Sequence, residues 1–162
     1  MQSILQSFGK RIGMESLDFE STTDGVGMCS LSFDDVTVNL AYHEEERILY
    51  IHTAVASVPD NEKARLELYG LLLELNCGFR YTDGGILGVH EEYGVILSNK
   101  ISIESLDSGA FESFVEKHVN FAEKIYAYLL ESMDDVDTTV GEEGTQADDK
   151  DILRMMSMAI RI

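Results

Sequence analysis

Histidine and cysteine are the residue types in this sequence best suited to catalysis or metal binding. They are His43, His52, His90, His118, Cys29 and Cys77. No histidine pairs with another histidine or a cysteine at metal-ligand spacing, and neither cysteine has a C-x-x-C partner. His118 falls among the apolar positions of a predicted helix, where a core or interface histidine is expected. A small enzyme would need a pocket in which His52, His90 or Cys77 meets a carboxylate.

Two stretches partly match ligand-binding motifs, a phosphate-binding loop and an EF-hand loop, but neither stretch has the residues that its motif requires. Residues 84–88 contain three glycines. They lack the Gly-Lys-Ser/Thr ending of a phosphate-binding loop, and no predicted helix follows them. An EF-hand loop starting at Asp135 would place Val140 where glycine is required and Gln146 where glutamate is expected. The sequence therefore predicts no catalytic residue, no metal site and no cofactor.

The charge of the chain is strongly negative and unevenly distributed. Thirty acidic and twelve basic residues give a net charge of −18. Residues 134–151 hold eight acids and one base with almost no large apolar side chain, which predicts an acidic flexible linker. Residues 1–133 still hold 22 acids and 9 bases, a net charge of −13, and form the predicted folded domain. Such charge disfavours nucleic acid and anionic membranes as partners.

The hydrophobic pattern indicates a protein of the cytoplasm. No apolar run approaches the roughly 18 residues that a membrane span requires, and the N-terminal residues lack the pattern of a signal peptide. Two cysteines cannot form a disulfide framework and suit a reducing compartment. We therefore expect no membrane span and a cytoplasmic location.

Periodicity predicts the elements that position these side chains. Residues 2–13 carry Ile4, Leu5, Phe8 and Ile12 on one helical stripe. Period-2 alternation predicts three strands near 28–33, 36–42 and 48–56, which short turns join into an antiparallel meander. A leucine-rich helix follows over 61–77, capped by Asp60 or Asn61 and ending at Cys77. Two strands over 85–90 and 93–101 come next, and then a long helix over 108–133. The fold class is therefore α+β, in the order α-β-β-β-α-β-β-α.

This order of elements resembles a known family. The phrases that carry the resemblance are LNCGF at 75–79, GILGVH at 85–90 and YGVIL at 93–97. Together with the acidity and the size of residues 1–132, they resemble the CesT or Tir-chaperone family, the small acidic chaperones of type III secretion. FGKRIG at 8–13 and GMCSLSFD at 27–34 further resemble a regulatory, ExsC-like member, which holds a secreted regulator and an anti-activator in turn.

The resemblance implies a homodimer without catalytic activity that binds the N-terminal segment of a secreted effector or regulator in extended form. An extended peptide needs a strand edge and apolar pockets. The client-binding residues expected from the first helix and the meander are Ile4, Leu5, Phe8, Ile12, Leu31, Phe33, Val36, Val38, Leu49 and Ile51. The dimer interface implied by the resemblance comprises Leu68, Leu71, Leu72, Leu75, Ile86, Leu87 and Val89. The alternative for each of these residues is a place in the core.

Other functions stay open at this point. A regulatory chaperone would exchange a secreted regulator for an anti-activator, and an acidic scaffold protein would be a monomer without an extended client. The C-terminal residues 152–162 form a short apolar segment, with Ile152, Met155, Met156 and Ala159 on one helical face. We expect this segment either to dock on the domain or its partner, since methionine adapts to varied surfaces, or to remain a disordered tail.

Overall fold

A computed structural model describes residues 1–13, 17–21, 25–33, 36–77, 82, 84–104 and 106–133. The predicted linker 134–151 and the apolar segment 152–162 lie outside the described residues. In chain order the elements are α1 (Gln2–Arg11), β1 (Glu20–Ser21), β2 (Val26–Phe33), β3 (Val36–His43), β4 (Ile48–Ala56), α2 (Glu62–Cys77), β5 (Ile86–His90), β6 (Gly94–Ser102) and α3 (Ser108–Ser132). None of the helices in these ranges is long and apolar enough to cross a membrane.

Local side-chain chemistry fixes where α2 and α3 begin. The Asn61 side chain accepts a hydrogen bond from the Ala64 amide at 3.1 Å, and Asp107 accepts one from the Ala110 amide at 2.8 Å. Both bonds satisfy an amide that the first turn of a helix leaves without a partner. The predicted capping residue of the second helix is thus Asn61 rather than Asp60.

The strands form one antiparallel sheet in the order β1-β2-β3-β4-β6-β5. The meander predicted from residues 28–56 corresponds to β2, β3 and β4, and β4 pairs with β6 from Ile48 to Ala56 with a register shift near Ala54. Gly94 begins β6 with φ at +75°, and a Cβ atom there would collide with the carbonyl oxygen of Ala56. Only glycine suits this turn, because it alone combines the left-handed backbone with the close approach.

All three helices cover the same face of the sheet, which we call the helix face. Its β4 residues are Leu49, Ile51, Thr53 and Val55. One core cluster joins this face to α1 and the start of α3, and a second joins it to α2 and the end of α3. The open face is the other side, which carries the alternating residues Met28, Ala41, Tyr50 and His52.

The α+β fold class and the predicted order of elements are confirmed, and one strand was missed. Strand β1 has two residues, Glu20 and Ser21, which pair with Met28 and Gly27. Two residues cannot show an alternating pattern, so nothing in the local sequence indicated this strand. Its position depends on the pairing partner that β2 provides.

Candidate functional site

The histidines lie in three different settings, which are the helix-face core, the open face and the end of β5. Within the described ranges, no three His, Cys, Asp or Glu side chains are placed to hold a metal ion. His118 is buried between α3 and the sheet, where its Nε2 atom lies 3.1 Å from Thr53 Oγ1. Burial lowers the pKa of His118 to about 4, so the ring is neutral at physiological pH. The core histidine predicted at this position is confirmed.

His52 lies on the open face, on the opposite side of the sheet from His118. Its Nδ1 atom is 2.8 Å from Ser98 Oγ, and its ring stacks on Tyr50 with centroids 6.3 Å apart. Burial lowers its pKa to about 4 as well. His90 ends β5, where its Nδ1 accepts a hydrogen bond from the Glu92 amide at 3.1 Å, and Cys77 is an exposed thiol at the end of α2.

Most of the residues expected to bind a client lie in the core of the single chain. Those that are buried in the cluster beneath α1 and α3 are Leu5, Phe8, Leu31, Val38, Leu49 and Ile51. Phe8 packs edge-on against Phe111, with ring centroids 5.2 Å apart. Ile4, Phe33 and Val36 are half-buried at the margin of this cluster, and Ile12 is 39% exposed at the end of α1. The accessible part of the predicted set is therefore this margin.

The residues expected at a dimer interface divide in the same way. Leu68, Leu72, Leu75 and Leu87 are buried in the second core cluster. Leu71 is half-buried, and Ile86 and Val89 on β5 are exposed. The set thus includes both core residues and residues that a partner could reach.

Two leucines of α2 that the sequence interpretation did not single out are the most exposed large apolar residues of the helix. Leu66 is 64% and Leu73 is 68% exposed. They lie seven residues apart, so they share one side of α2, away from the buried stripe of Leu68, Leu72 and Leu75. The signal was available in the sequence, because leucines on both sides of a helix exceed what one core face requires.

The side chain of Asn76 holds the edge strand β5 against α2. Its amide nitrogen donates to the Leu87 carbonyl oxygen at 2.8 Å, and its amide oxygen accepts from the Leu87 nitrogen at 2.9 Å. The side chain thereby pairs with the outward-facing backbone of β5 as a neighbouring strand would. Because Asn76 bonds to both backbone groups of Leu87, it fixes the position of β5. The exposed side chains of Ile86 and Val89 are therefore held in place on this strand.

An apolar groove of about 510 Å³ lies between α2 and α3. It is lined by Leu71, Glu74, Leu75, Phe121, Lys124, Ile125 and Tyr128. A groove of this size and lining can receive a few apolar side chains, with one acid and one base at its margin. It contains none of the four histidines.

The surface of the described residues has exposed apolar side chains on α2 and at the β5 edge of the sheet. The model of the Tir chaperone protein (CesT) family matches residues 3–126, more than three quarters of the chain. The protein belongs to this family of chaperones. No curated protein sequence matches it significantly.

Solved structures of similar fold agree with this assignment. The ExsC-ExsE complex contains a chain with 26% identity and a TM-score of 0.66, over 79% of this chain and 92% of that one. The Yersinia pestis type III secretion chaperone SycH, solved with a fragment of YscM2, has 18% identity and a TM-score of 0.53, over 76% and 97%. The HopA1-SchA chaperone-effector complex has 16% identity and a TM-score of 0.58, over 77% and 91%. At these lower identities the likeness concerns the fold.

Proposed function

We propose that this protein is a cytoplasmic type III secretion chaperone that binds the N-terminal segment of a secreted protein in extended form. It keeps that client stable and competent for export, without ATP and without catalysis. The observation that carries this proposal is the family match over residues 3–126, joined to the fold similarity with chaperones solved together with their clients. The net charge of −18 keeps a protein with exposed apolar side chains soluble, and it favours client segments that are basic.

The outer edge of β2 is the surface that suits an extended client. Strand β2 pairs with β3 along all eight residues, whereas its pairing with β1 covers only Gly27 and Met28. Among the described strands, none pairs with the other edge of β2 from Cys29 to Phe33. A peptide added there would form backbone hydrogen bonds with β2. Phe33 belongs to the half-buried margin of the adjoining core cluster, where alternate client side chains could pack.

The client surface is tested by substitutions on α1 in the full-length protein. The client is first identified by affinity capture from the cytoplasm of the native bacterium with mass spectrometry. Its N-terminal segment is then produced for titration calorimetry. Ile12→Asp should weaken binding about tenfold, because losing one buried aliphatic contact costs about 1.5 kcal/mol or more.

The matched control adds the same charge to the same helix. Ser7 is exposed on α1, so Ser7→Asp should leave the affinity unchanged. Equal affinities for both variants and the parent protein would refute a client surface at α1. Absence of any secreted protein among the captured partners would refute the chaperone function itself. Phe8→Asp is less informative, because Phe8 belongs to the core and its loss would unfold the domain.

The homodimer in this proposal uses α2 and β5. Leu66 and Leu73 on α2, with Ile86 and Val89 on β5, are large apolar side chains left exposed in the single chain. These elements contact each other through the bonds of Asn76 to β5. Exposed apolar residues of this kind mark protein interfaces, and a two-fold dimer would bury each of them against a second copy.

A change of mass in solution tests this interface. The chain has a mass of 18.1 kDa, so a dimer has 2 × 18.1 = 36.2 kDa. Leu73→Glu should convert the dimer to the monomer in light-scattering chromatography, since a charge buried in an apolar interface is strongly unfavourable. Ile12→Asp, which changes α1 instead, should leave the dimer intact. A dimer that persists in Leu73→Glu would place the interface elsewhere.

One observation favours a regulatory version of the function. The chain of the ExsC-ExsE complex has the highest TM-score of the structures described above, and the match covers 92% of its length. A regulatory chaperone exchanges a secreted regulator for an anti-activator and so couples secretion to transcription. Capture of two small regulatory proteins would support this version, whereas capture of a large effector would support the general one.

A further inference from the structure

One part of the open face is buried although no described helix covers it. Val26, Met28 and Ala41 are each exposed to 4% or less. Their neighbours along the strands, such as Cys29 and Leu40, point to the helix face, so these three side chains point away from the helices. Among the partly buried apolar residues of the described part, only Tyr50 packs against them. We call these four residues the open-face patch.

Two imidazole nitrogens beside the patch lack hydrogen-bond partners. The Nε2 atoms of His43 and His52 are buried and make no hydrogen bond. Both rings pack on Tyr50, His43 edge-on at 5.3 Å and His52 stacked at 6.3 Å. A buried polar nitrogen without a partner costs free energy, so this site favours a cover that brings hydrogen-bonding groups with it.

Burial of the patch is local. On the same face, Thr37, Ala54, Gly88 and Lys100 are exposed. Side chains on an uncovered sheet face stay in contact with water, so a patch with apolar side chains and two unpartnered imidazoles indicates one further segment of chain above β2, β3 and β4. An eleven-residue segment is of the right size to cover three strands, which lie about 4.8 Å apart.

We propose that residues 152–162 of the same chain dock on the open-face patch. This segment is apolar and rich in methionine, and Ile152, Met155, Met156 and Ala159 share one helical side. The free backbone groups in the first and last turns of such a helix can supply partners for the two imidazole nitrogens. Its charge is complementary as well, because it carries Arg154 and Arg161 and no acid, whereas residues 1–133 have a net charge of −13.

The length of the intervening chain allows this docking within one molecule. Eighteen residues separate Met133 from Ile152. A flexible chain of that length has a root-mean-square span of about 23 Å. A domain of 133 residues has a radius of gyration of about 14 Å. The tether therefore reaches the open face and holds the segment at a millimolar effective concentration.

Methyl NMR of the full-length protein tests the proposal directly. Methionine methyl groups are labelled with ¹³C, and Met155 and Met156 are assigned from the single substitutions Met155→Leu and Met156→Leu. We expect nuclear Overhauser effects from these methyl groups to Met28 and to the Tyr50 ring, with intensities that do not change on dilution. Assigned methyl signals of Met155 and Met156 without any such effect would overturn the proposal.

A double substitution supplies the second measurement. Met155→Asp with Met156→Asp should shift the Met28 methyl signal, because it removes the cover, whereas Ser157→Asp on the other side of the segment should not. Unchanged signals of Phe111 and His118 in the helix-face core would show that the double variant is folded. A Met28 signal that is the same in the double variant and the parent protein contradicts the docking. Effects seen only between differently labelled chains would assign the patch to a second copy instead.

Discussion

Replacing His118 should remove part of the acid sensitivity of this protein. Its ring is buried against Thr53, and its pKa is lowered from 6.5 to about 4, by burial first and by the nearby His52 second. Between these two pH values the unfolded chain binds more protons than the folded one. The free energy of unfolding is therefore at its full value above about pH 6.5 and falls as the pH falls toward about 4.

The magnitude follows from the same pKa values. Each pKa unit corresponds to about 1.4 kcal/mol, so complete protonation of a pKa lowered from 6.5 to about 4 costs about 3 kcal/mol. Between about pH 7.5 and about pH 5.5 the loss is about 1 kcal/mol for His118. His52 has its pKa lowered to the same value and contributes a similar loss. We restrict the comparison to this range because carboxylates begin to titrate below it.

Urea denaturation followed by circular dichroism, at one protein concentration, measures the effect. The parent protein should lose about 2–3 kcal/mol of unfolding free energy between about pH 7.5 and about pH 5.5, and His118→Gln about half of that. Thr53→Val is the control, since it removes the hydrogen-bond partner and keeps the imidazole. It should lower stability by about 1–3 kcal/mol at both pH values and retain the acid sensitivity. If His118→Gln and the parent protein lost the same free energy of unfolding between the two pH values, the reasoning would be refuted.

Two further substitutions test how the core and the edge strand are held. Asn76→Ala removes both side-chain bonds to the Leu87 backbone and should lower the free energy of unfolding by about 2 kcal/mol. Hydrogen exchange at the Leu87 backbone amide should accelerate, and unchanged protection there would contradict the role of the Asn76 side chain. Phe111→Ala empties a fully buried site beside Phe8 and should cost about 3–5 kcal/mol in urea denaturation. Tyr126→Ala, on the exposed side of the same helix, should change stability by less than about 0.5 kcal/mol, and a similar cost for both would show that burial does not decide the effect.

The expected surfaces show where sequence reasoning was least reliable. The apolar stripe of α1 was expected to serve a client, yet Leu5 and Phe8 are buried beneath α3 while Ile12 is exposed. A stripe shows that one face of a helix avoids water, but it does not tell whether that face meets the same chain or another one. The same holds for α2, where Leu68 is buried and Leu73, five residues later, is exposed.

The sequence by itself determined the helices, the longer strands and their order along the chain. The helical spacing from Phe111 to Leu129 and the capping residues Asn61 and Asp107 are local signals, and the structure agrees with each. The alternation over β3 also predicted a strand correctly, but the centre of that strand, residues 38–41, is buried on both faces rather than on one. Such signals act between residues that are close along the chain, so they can be read without knowledge of the fold. The same signals predicted that His118 belongs to the core.

Tertiary structure alone decided the features that join distant residues. The partner of His118 is Thr53, 65 residues away, and β5 is held by Asn76 across eleven residues. Strand β1 exists because β2 offers it an edge, and the buried patch of Val26, Met28 and Ala41 lies on a face that periodicity could not orient. Pairing and burial of this kind depend on which surfaces meet when the chain closes on itself. A one-dimensional pattern does not specify that outcome.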